Sequence, residues 1–391
     1  MISNLSHDLV LDIAQRLPFY TDYANFRSIN KSLRSIVPKK LPYSIPCLIL
    51  PFNETHCDFF SLFAGKEGEN CNLELPEVQT QLCKGSSHGW LITVGKTPAI
   101  HLINPLRSTR MQLPPIDTFP DVLEYNPERV DEEYLISTDY PTITATSTIG
   151  CHRDVLHRAA WVQSCFIMKL VLSSSPGGQE GCIAMAIHSE CTNKVACCKL
   201  GDNEWKTVEG AWSNLDDIIH HNGSFYVLDQ YGRIFVISDE EVDSLSPKAT
   251  LFAAGPEFSA LVGDKIYLVV VNGDFLIVNR DRDWISSDNY RTLNFDVFRL
   301  NISDSEWSEV QHIGDNFLFL GKNESSCIPT CEIPRSSTGN RIYFTDDHGK
   351  GSDIGVFHME DRIVRKFPLS SGFQDQPSQI SPAPIWIEPN A

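Results

Sequence analysis

Three close carboxylate pairs, Asp216 with Asp217, Asp281 with Asp283, and Asp346 with Asp347, are the side chains in this sequence best suited to acid–base work. Two carboxyl groups held roughly 5 to 10 Å apart across a bond can protonate a leaving oxygen and activate a water, the chemistry of glycoside hydrolysis. Each pair adjoins a run that reads as strand or turn, where a solvated aspartate is ordinary, so a hydrolase stands as an alternative reading. His220 and His221 precede Asn222–Gly223 at an expected turn, and no nucleophile or orienting carboxylate accompanies them at a recognisable spacing. Cysteines at 182, 191, 197 and 198, and the pair Cys327 and Cys331, invite a zinc reading, yet no Cys-x-x-Cys pair exists. Cys197 and Cys198, consecutive in a strand, would point to opposite faces. The segment "SSSPGG" at 173–178 lacks the lysine of a phosphate-binding loop. No catalytic residue, metal or cofactor is therefore expected, and these groups read as parts of a scaffold.

That scaffold is large. A chain of 391 residues with 42% hydrophobic content can bury one sizeable core and a small second unit. The first fifteen residues lack a basic start followed by an apolar run, and the longest apolar stretches, such as "IYLVVV", are too short to span a bilayer. An intracellular protein of the nucleus and/or cytoplasm is expected, with no membrane partner. In that setting six Asn-x-Ser/Thr sequons would stay unused, and twelve cysteines would be mostly buried and reduced. Residues 1–41 carry a balance of +3, which leaves −21 on the remainder. So acidic a body repels phosphate backbones, and nucleic acid is not expected as a partner.

The segment "LSHDLVLDIAQRLP" sets Leu5, Leu9, Ile13 and Leu17 four residues apart, one narrow apolar stripe on a helix with Asp8 near its N-terminus. Pro18 stops it. Thr21 or Asp22 can cap a second helix carrying Tyr23, Phe26 and Ile29, and Asn30 or Ser32 a third through Leu33, Ile36 and Val37, closed by Pro38. Three short helices cannot bury a core alone, so they want a partner surface.

Further on, Gly or Gly plus a polar residue repeatedly precedes a short apolar and aromatic run: "HGWLITV", "NGSFYVLD", "GDKIYLVVV", "GDNFLFLG" and "GNRIYFTDD". Each reads as a tight turn feeding a strand. Spacings of 40 from Gly223 to Gly263 and 51 from Gly263 to Gly314 match the roughly 40 to 50 residues of a four-stranded propeller blade. The phrases "DNEWKTV" and "DSEWSEV" place Trp205 and Trp307 about two such periods apart, as exposed-looking residues that each sit late in a blade and pack against its neighbour. "DVLEYNPERVDEEYLISTDYPT" breaks the register and reads as a long acidic surface loop.

The stretch "LSHDLVLDIAQRLPFYTDYANFRSINKSLRSIV" resembles an F-box. Matching positions are Leu5, Asp8, Leu9, Ile13, Arg16, Leu17, Pro18, Phe26, Arg27, Lys31, Ser32 and Arg34; Ser6, Asn30 and Leu33 stand where that family has Pro, often Cys, and usually Trp. The body, through "KGSSHGWLIT", "HLINPLRSTRMQLPP", "KLVLSSSP", "LGDNEWKTV", "GNRIYFTDD" and "PIWIEP" in order, is similar to the kelch-related propeller-type domain of plant F-box proteins. The resemblance implies a non-catalytic substrate-recognition subunit of an SCF-type ubiquitin ligase. Its F-box would dock on the Skp-type adaptor and cullin through Leu5, Leu9, Ile13, Leu17 and Pro18, supported by Phe26, Arg27 and Leu33, and its propeller would hold a target protein. The expected layout is a three-helix F-box at 1–40, a linker at 41–50, and a mainly β, propeller-like body of about six or seven blades at 51–391. A scaffold with a degenerate F-box, as Ser6 and Leu33 could permit, is the other alternative.

Overall fold

Several strands of this chain, such as IAMAIH at 183–188 and WLITV at 90–94, are buried from end to end, which requires cover on both faces. Stacked sheets provide it. The computed structural model describes residues 5–15, 17, 20–37, 46–53, 56–61, 69–73, 81–143, 148–177, 181–189, 193–210, 214–257, 265–286, 289–333, 338–347, 353–367 and 383–388. Three short helices come first, α1 (His7–Gln15), α2 (Tyr20–Ser28) and α3 (Lys31–Ile36). The first sheet holds β1 (Cys47–Asn53), β2 (His56–Ser61) and β3 (Glu69–Leu73), so its opening strand begins inside the segment read as linker. The second holds β4 (Leu82–Ser87), β5 (Trp90–Val94), β6 (Ile100–Asn104) and β7 (Thr109–Leu113). An insertion of β8 (Val122–Tyr125), β9 (Tyr134–Ile143) and β10 (Thr148–His157) follows. The next sheets are β11 (Ile167–Leu172), β12 (Ile183–His188), β13 (Lys194–Lys199) and β14 (Lys206–Val208); β15 (Leu215–His221), β16 (Ser224–Asp229), β17 (Ile234–Ser238) and β18 (Thr250–Ala253); and β19 (Lys265–Val271), β20 (Asp274–Ser286), β21 (Asn289–Asn301) and β22 (Glu306–Glu309). The last contains β23 (Asn316–Leu320), β24 (Ser326–Pro329), β25 (Arg341–Phe344), β26 (Gly355–His358) and β27 (Ile363–Lys366), after which β28 (Ile385–Ile387) returns to pair antiparallel with β1.

The innermost strands are neighbours in the order β28, β4, β11, β15, β19 and β24. Phe319 on β23 meets Trp386 on β28 edge-on at 5.2 Å, which closes a ring of six blades among the described residues. The three-stranded insertion lies outside that ring, because β4 neighbours β11 directly. It is also where the sequence reading fails: the acidic stretch read as a loop forms β8 and β9. Val122, Tyr134 and Ile136 point into the core shared by the second and third blades, while Glu124, Asp131 and Glu132 stay in water. Alternation within a charged segment carries the strand.

The glycine spacing mixes two positions within the blade. His88–Gly89, Asn222–Gly223 and Asn272–Gly273 have φ of 50° and 79°, 48° and 74°, and 53° and 92°, the two-residue hairpin turn that joins a first strand to a second. Gly314 precedes a first strand instead, and Gly263 lies outside the described residues. The two tryptophans do occupy equivalent places. Trp205, just before β14, donates its indole N–H to Pro114 O at 2.9 Å, and Trp307 in β22 donates to Ala254 O at 2.6 Å. Each acceptor lies just past the last strand of the preceding blade, so each indole pins an outer strand to its neighbour. Trp205 is buried and stacked on Phe119, not exposed as its acidic setting suggests.

Towards the axis the blades are joined by a buried polar hub. Asp217 on β15 pairs with Lys169 Nζ on β11 and accepts hydrogen bonds from Leu268 N on β19 and Ser325 Oγ, each at 2.9 Å. One carboxylate thereby ties four blades together. Asp217→Ala would leave the Lys169 ammonium buried without its counter-charge and is expected to cost about 3 to 5 kcal/mol, read from the urea midpoint of unfolding. A second expectation concerns acid. Burial holds His188 down at about 4 against an ordinary 6.5, so between these values the unfolded chain binds the extra proton. Stability therefore falls as pH drops from 6.5 towards 4, and His188→Gln should flatten that part of the urea-midpoint profile.

Candidate functional site

The three helices share a core of Val10, Ala14, Tyr23, Leu33 and Val37, with Leu17, Phe26 and Ile36 packed against it. Val10 and Ala14, four apart on α1, turn inward; the predicted stripe one residue earlier does not. Leu5 is 37% exposed and Leu9 52%, Ile13 is half-buried, and Leu17 is half-buried against the helical core. Ile29, at the end of α2, adds a further apolar side chain at 56% exposure. Pro18 lies outside the described residues. Among the other residues expected at the docking face, Leu33 is buried inside the bundle, Phe26 is half-buried against it, and Arg27 Nε donates to Val37 O at 3.1 Å, tying α2 to the end of α3.

The departures from the F-box pattern have local explanations. Asn30 caps α3, its Oδ1 accepting from Leu33 N at 2.8 Å. Ser6 accepts from the start of α1, with Val10 N on its carbonyl at 3.1 Å and Leu9 N on its hydroxyl at 3.4 Å. Leu33 replaces the usual aromatic residue at an interior position, where the change alters packing and not the outer face.

On the body, the segment from Gly321 to Ser325 bridges the inner strands β4, β11 and β15. Glu324 N donates to Ser86 O at 2.9 Å; its carboxylate accepts from Ser87 Oγ at 2.6 Å and from His220 N at 2.8 Å. Ser325 reaches Asp217, and Gly321 O faces Lys169. Beside this bridge lies a cavity of about 200 Å³ whose walls include Ser87, Asn323, Glu324 and Glu388. Burial raises both carboxyls; the Ser87 hydroxyl and the His220 N–H act against that rise at Glu324, and a Ser326 hydrogen bond does so at Glu388.

Most residues considered for chemistry are already engaged; Asp281 stands opposite Asn294 in the pairing of β20 with β21. Asp217 is the hub described above, and Asp216 pairs with Lys265 at 3.5 Å. Asp283 pairs with exposed Arg291 at 2.8 Å, while Asp346 accepts from Tyr290 Oη at 2.6 Å and Asp347 pairs with Arg280 at 3.2 Å. His220 bonds Asp239 at 3.1 Å. Cys197 and Cys198 do face opposite ways, into two different interblade cores. Cys191 lies outside the described residues, among which no group of three or more His, Cys, Asp or Glu is placed to hold a metal. "SSSPGG" runs from β11 towards β12; Ser175 Oγ accepts from Trp90 Nε1 at 3.1 Å. Sequence reading missed Glu324 and Lys169, since neither stands in a pattern that distinguishes it from a surface charge.

The family model of the KIB1-4 beta-propeller matches residues 59–358. The chain belongs to the KIB1-4 beta-propeller family. This KIB1-4 chain is 27% identical to F-box protein SKIP23 of Arabidopsis thaliana, over 100% of this chain and 96% of that one. It is 24% identical to the putative F-box protein At5g55150 of the same plant, over 77% and 76%. Its relatives are thus plant F-box proteins with a propeller domain. Among solved structures it is similar to the N-terminal domain of Nup159, at a TM-score of 0.31 and 10% identity, covering 67% of this chain and 57% of that one. Because, among the described residues, the helical core draws on residues 10–37 alone, Val10→Asp is expected to expose the helices to protease while leaving the melting transition of the KIB1-4 body unchanged.

Proposed function

We propose that this protein is the substrate-recognition subunit of an SCF-type ubiquitin ligase: the helices dock on a Skp-type adaptor and, through it, a cullin, and the propeller holds a target protein. The observation that carries this reading is the outer ridge of α1. Leu5 and Leu9 stay exposed although Val10 and Ala14, on the same helix, supply the bundle with its core. An apolar ridge kept in water by a helix that has already buried another face gains by being covered. The F-box-like sequence of this segment and the full-length similarity to F-box proteins support a Skp-type adaptor as that cover. Such a subunit raises the effective concentration of target lysines near a charged conjugating enzyme and needs no reacting groups of its own. The interior place of Leu33 and the capping by Ser6 favour a working F-box over a degenerate one. Asp216, Asp217, Asp283, Asp346 and Asp347 are each held by a partner, which weighs against the hydrolase reading.

Leu9, the more exposed of the ridge residues, makes a cleaner test than Leu17, which also packs against the bundle. Leu9→Asp is expected to abolish co-purification with a Skp-type adaptor, with the helical signal in circular dichroism retained; undiminished adaptor binding by the folded variant would refute the proposal.

A further inference from the structure

The cavity beside the Gly321–Ser325 bridge has features that docking through the helices does not use. Two carboxylates, Glu324 and Glu388, line it, both half-buried, and neither forms an ion pair among the described residues. A carboxylate withdrawn from water without a cation is costly and attracts one. Glu324 is fixed in place by Ser87 and His220 N, donors that occupy one lone pair on each oxygen and leave the others available. Independently, Asn323 lines the same cavity at 2% exposure; its Nδ2 donates to Phe319 O and Glu324 O, while its Oδ1 has no hydrogen-bond partner. Of the nitrogens whose charge acts on these carboxylates, Lys169 is committed to Asp217 and His220 to Asp239, while His88 lines the cavity beside Glu388. Glu332 adds negative potential at Glu388.

We propose that this cavity is a cation pocket that receives one lysine or arginine side chain of the bound target. Two carboxylates and an amide oxygen match the donors of an ammonium or guanidinium group. Among the described residues no group of three or more His, Cys, Asp or Glu is placed here to hold a metal ion. The volume of about 200 Å³ suits one long side chain and not a folded surface. The balance of −21 outside residues 1–41 works in the same direction, drawing a basic segment towards the body before contact. The inference rests on the substrate-recognition reading for the source of the cation, and the pocket chemistry is tested without that source.

The test is calorimetric titration of the full chain with N-acetyl-arginine methylamide and N-acetyl-lysine methylamide, with the norleucine analogue as the apolar control. Saturable binding of at least one cationic probe, none of norleucine, and weakening by tenfold or more in Glu388→Gln are expected. Glu388→Asp keeps the charge and should retain binding, which separates charge from packing, and thermal melting confirms that both variants are folded. Absence of binding to the wild type, equal binding by Glu388→Gln, or loss of binding in Glu388→Asp as complete as in Glu388→Gln would overturn the proposal. Adaptor co-purification is expected to be the same in Glu388→Gln and wild type, so a failed pocket is told apart from a failed docking ridge.

Discussion

The buried pairing of Lys169 with Asp217 is the interaction on which the body depends. A ring of sheets with apolar faces is held from blade to blade by packing, which is strong but not directional. What fixes the inner strands against one another is a carboxylate that must satisfy its hydrogen bonds away from water. It does so by drawing on β11, β15, β19 and the segment after β23 together. A buried ion pair is weak evidence for net stability, but any slip of one blade here would leave a charge unpaired. The hub also explains why the last blade is irregular. Its chain turns back after Leu320 to place Ser325 on Asp217, runs inward as β24, and only then reaches β25, which must therefore pair parallel with β23.

The fold was legible wherever one residue type had one physical use. Paired positive-φ residues such as Asn222–Gly223 announce a hairpin, and the two tryptophan phrases mark equivalent outer strands because an indole N–H needs an acceptor that only the adjoining blade offers. The helical stripe at Leu5 and Leu9 was legible for the same reason. The bundle's own interior was not: Val10 and Ala14 look like ordinary helix formers, and only the packing of Tyr23, Leu33 and Val37 shows which face is inside. Glycine spacing misled because hairpins and interblade connections both demand it. The strands β8 and β9 were hidden by their charge, since a strand at the rim needs apolar residues on one face only.

The candidate interaction sites differ in physics. The ridge on α1 is apolar, exposed and local in sequence, so a short stretch reveals it. The cavity is assembled from β4, the bridge after β23 and the residue following β28, segments far apart in sequence, and no local pattern could show it. Its carboxylates acquire their character from burial alone. Glu388 in the unfolded chain is an unremarked surface acid; next to Ser326 and Glu324 it becomes half of a charged wall.

The pairing of β28 with β1 has a temporal consequence. Cys47, Leu48 and Ile49 find their partners Ile387, Trp386 and Ile385 only once a segment more than 300 residues further along has left the ribosome. Until then the first sheet presents an unpaired backbone edge, and Trp386, which packs against Phe319 and Phe367, is missing from its aromatic cluster. Until residues 385–387 are made, the first sheet keeps an open edge suited to illicit pairing, a period during which chaperone protection matters most. Loss of β28 would leave the first blade without its inner strand while the other sheets keep their pairings.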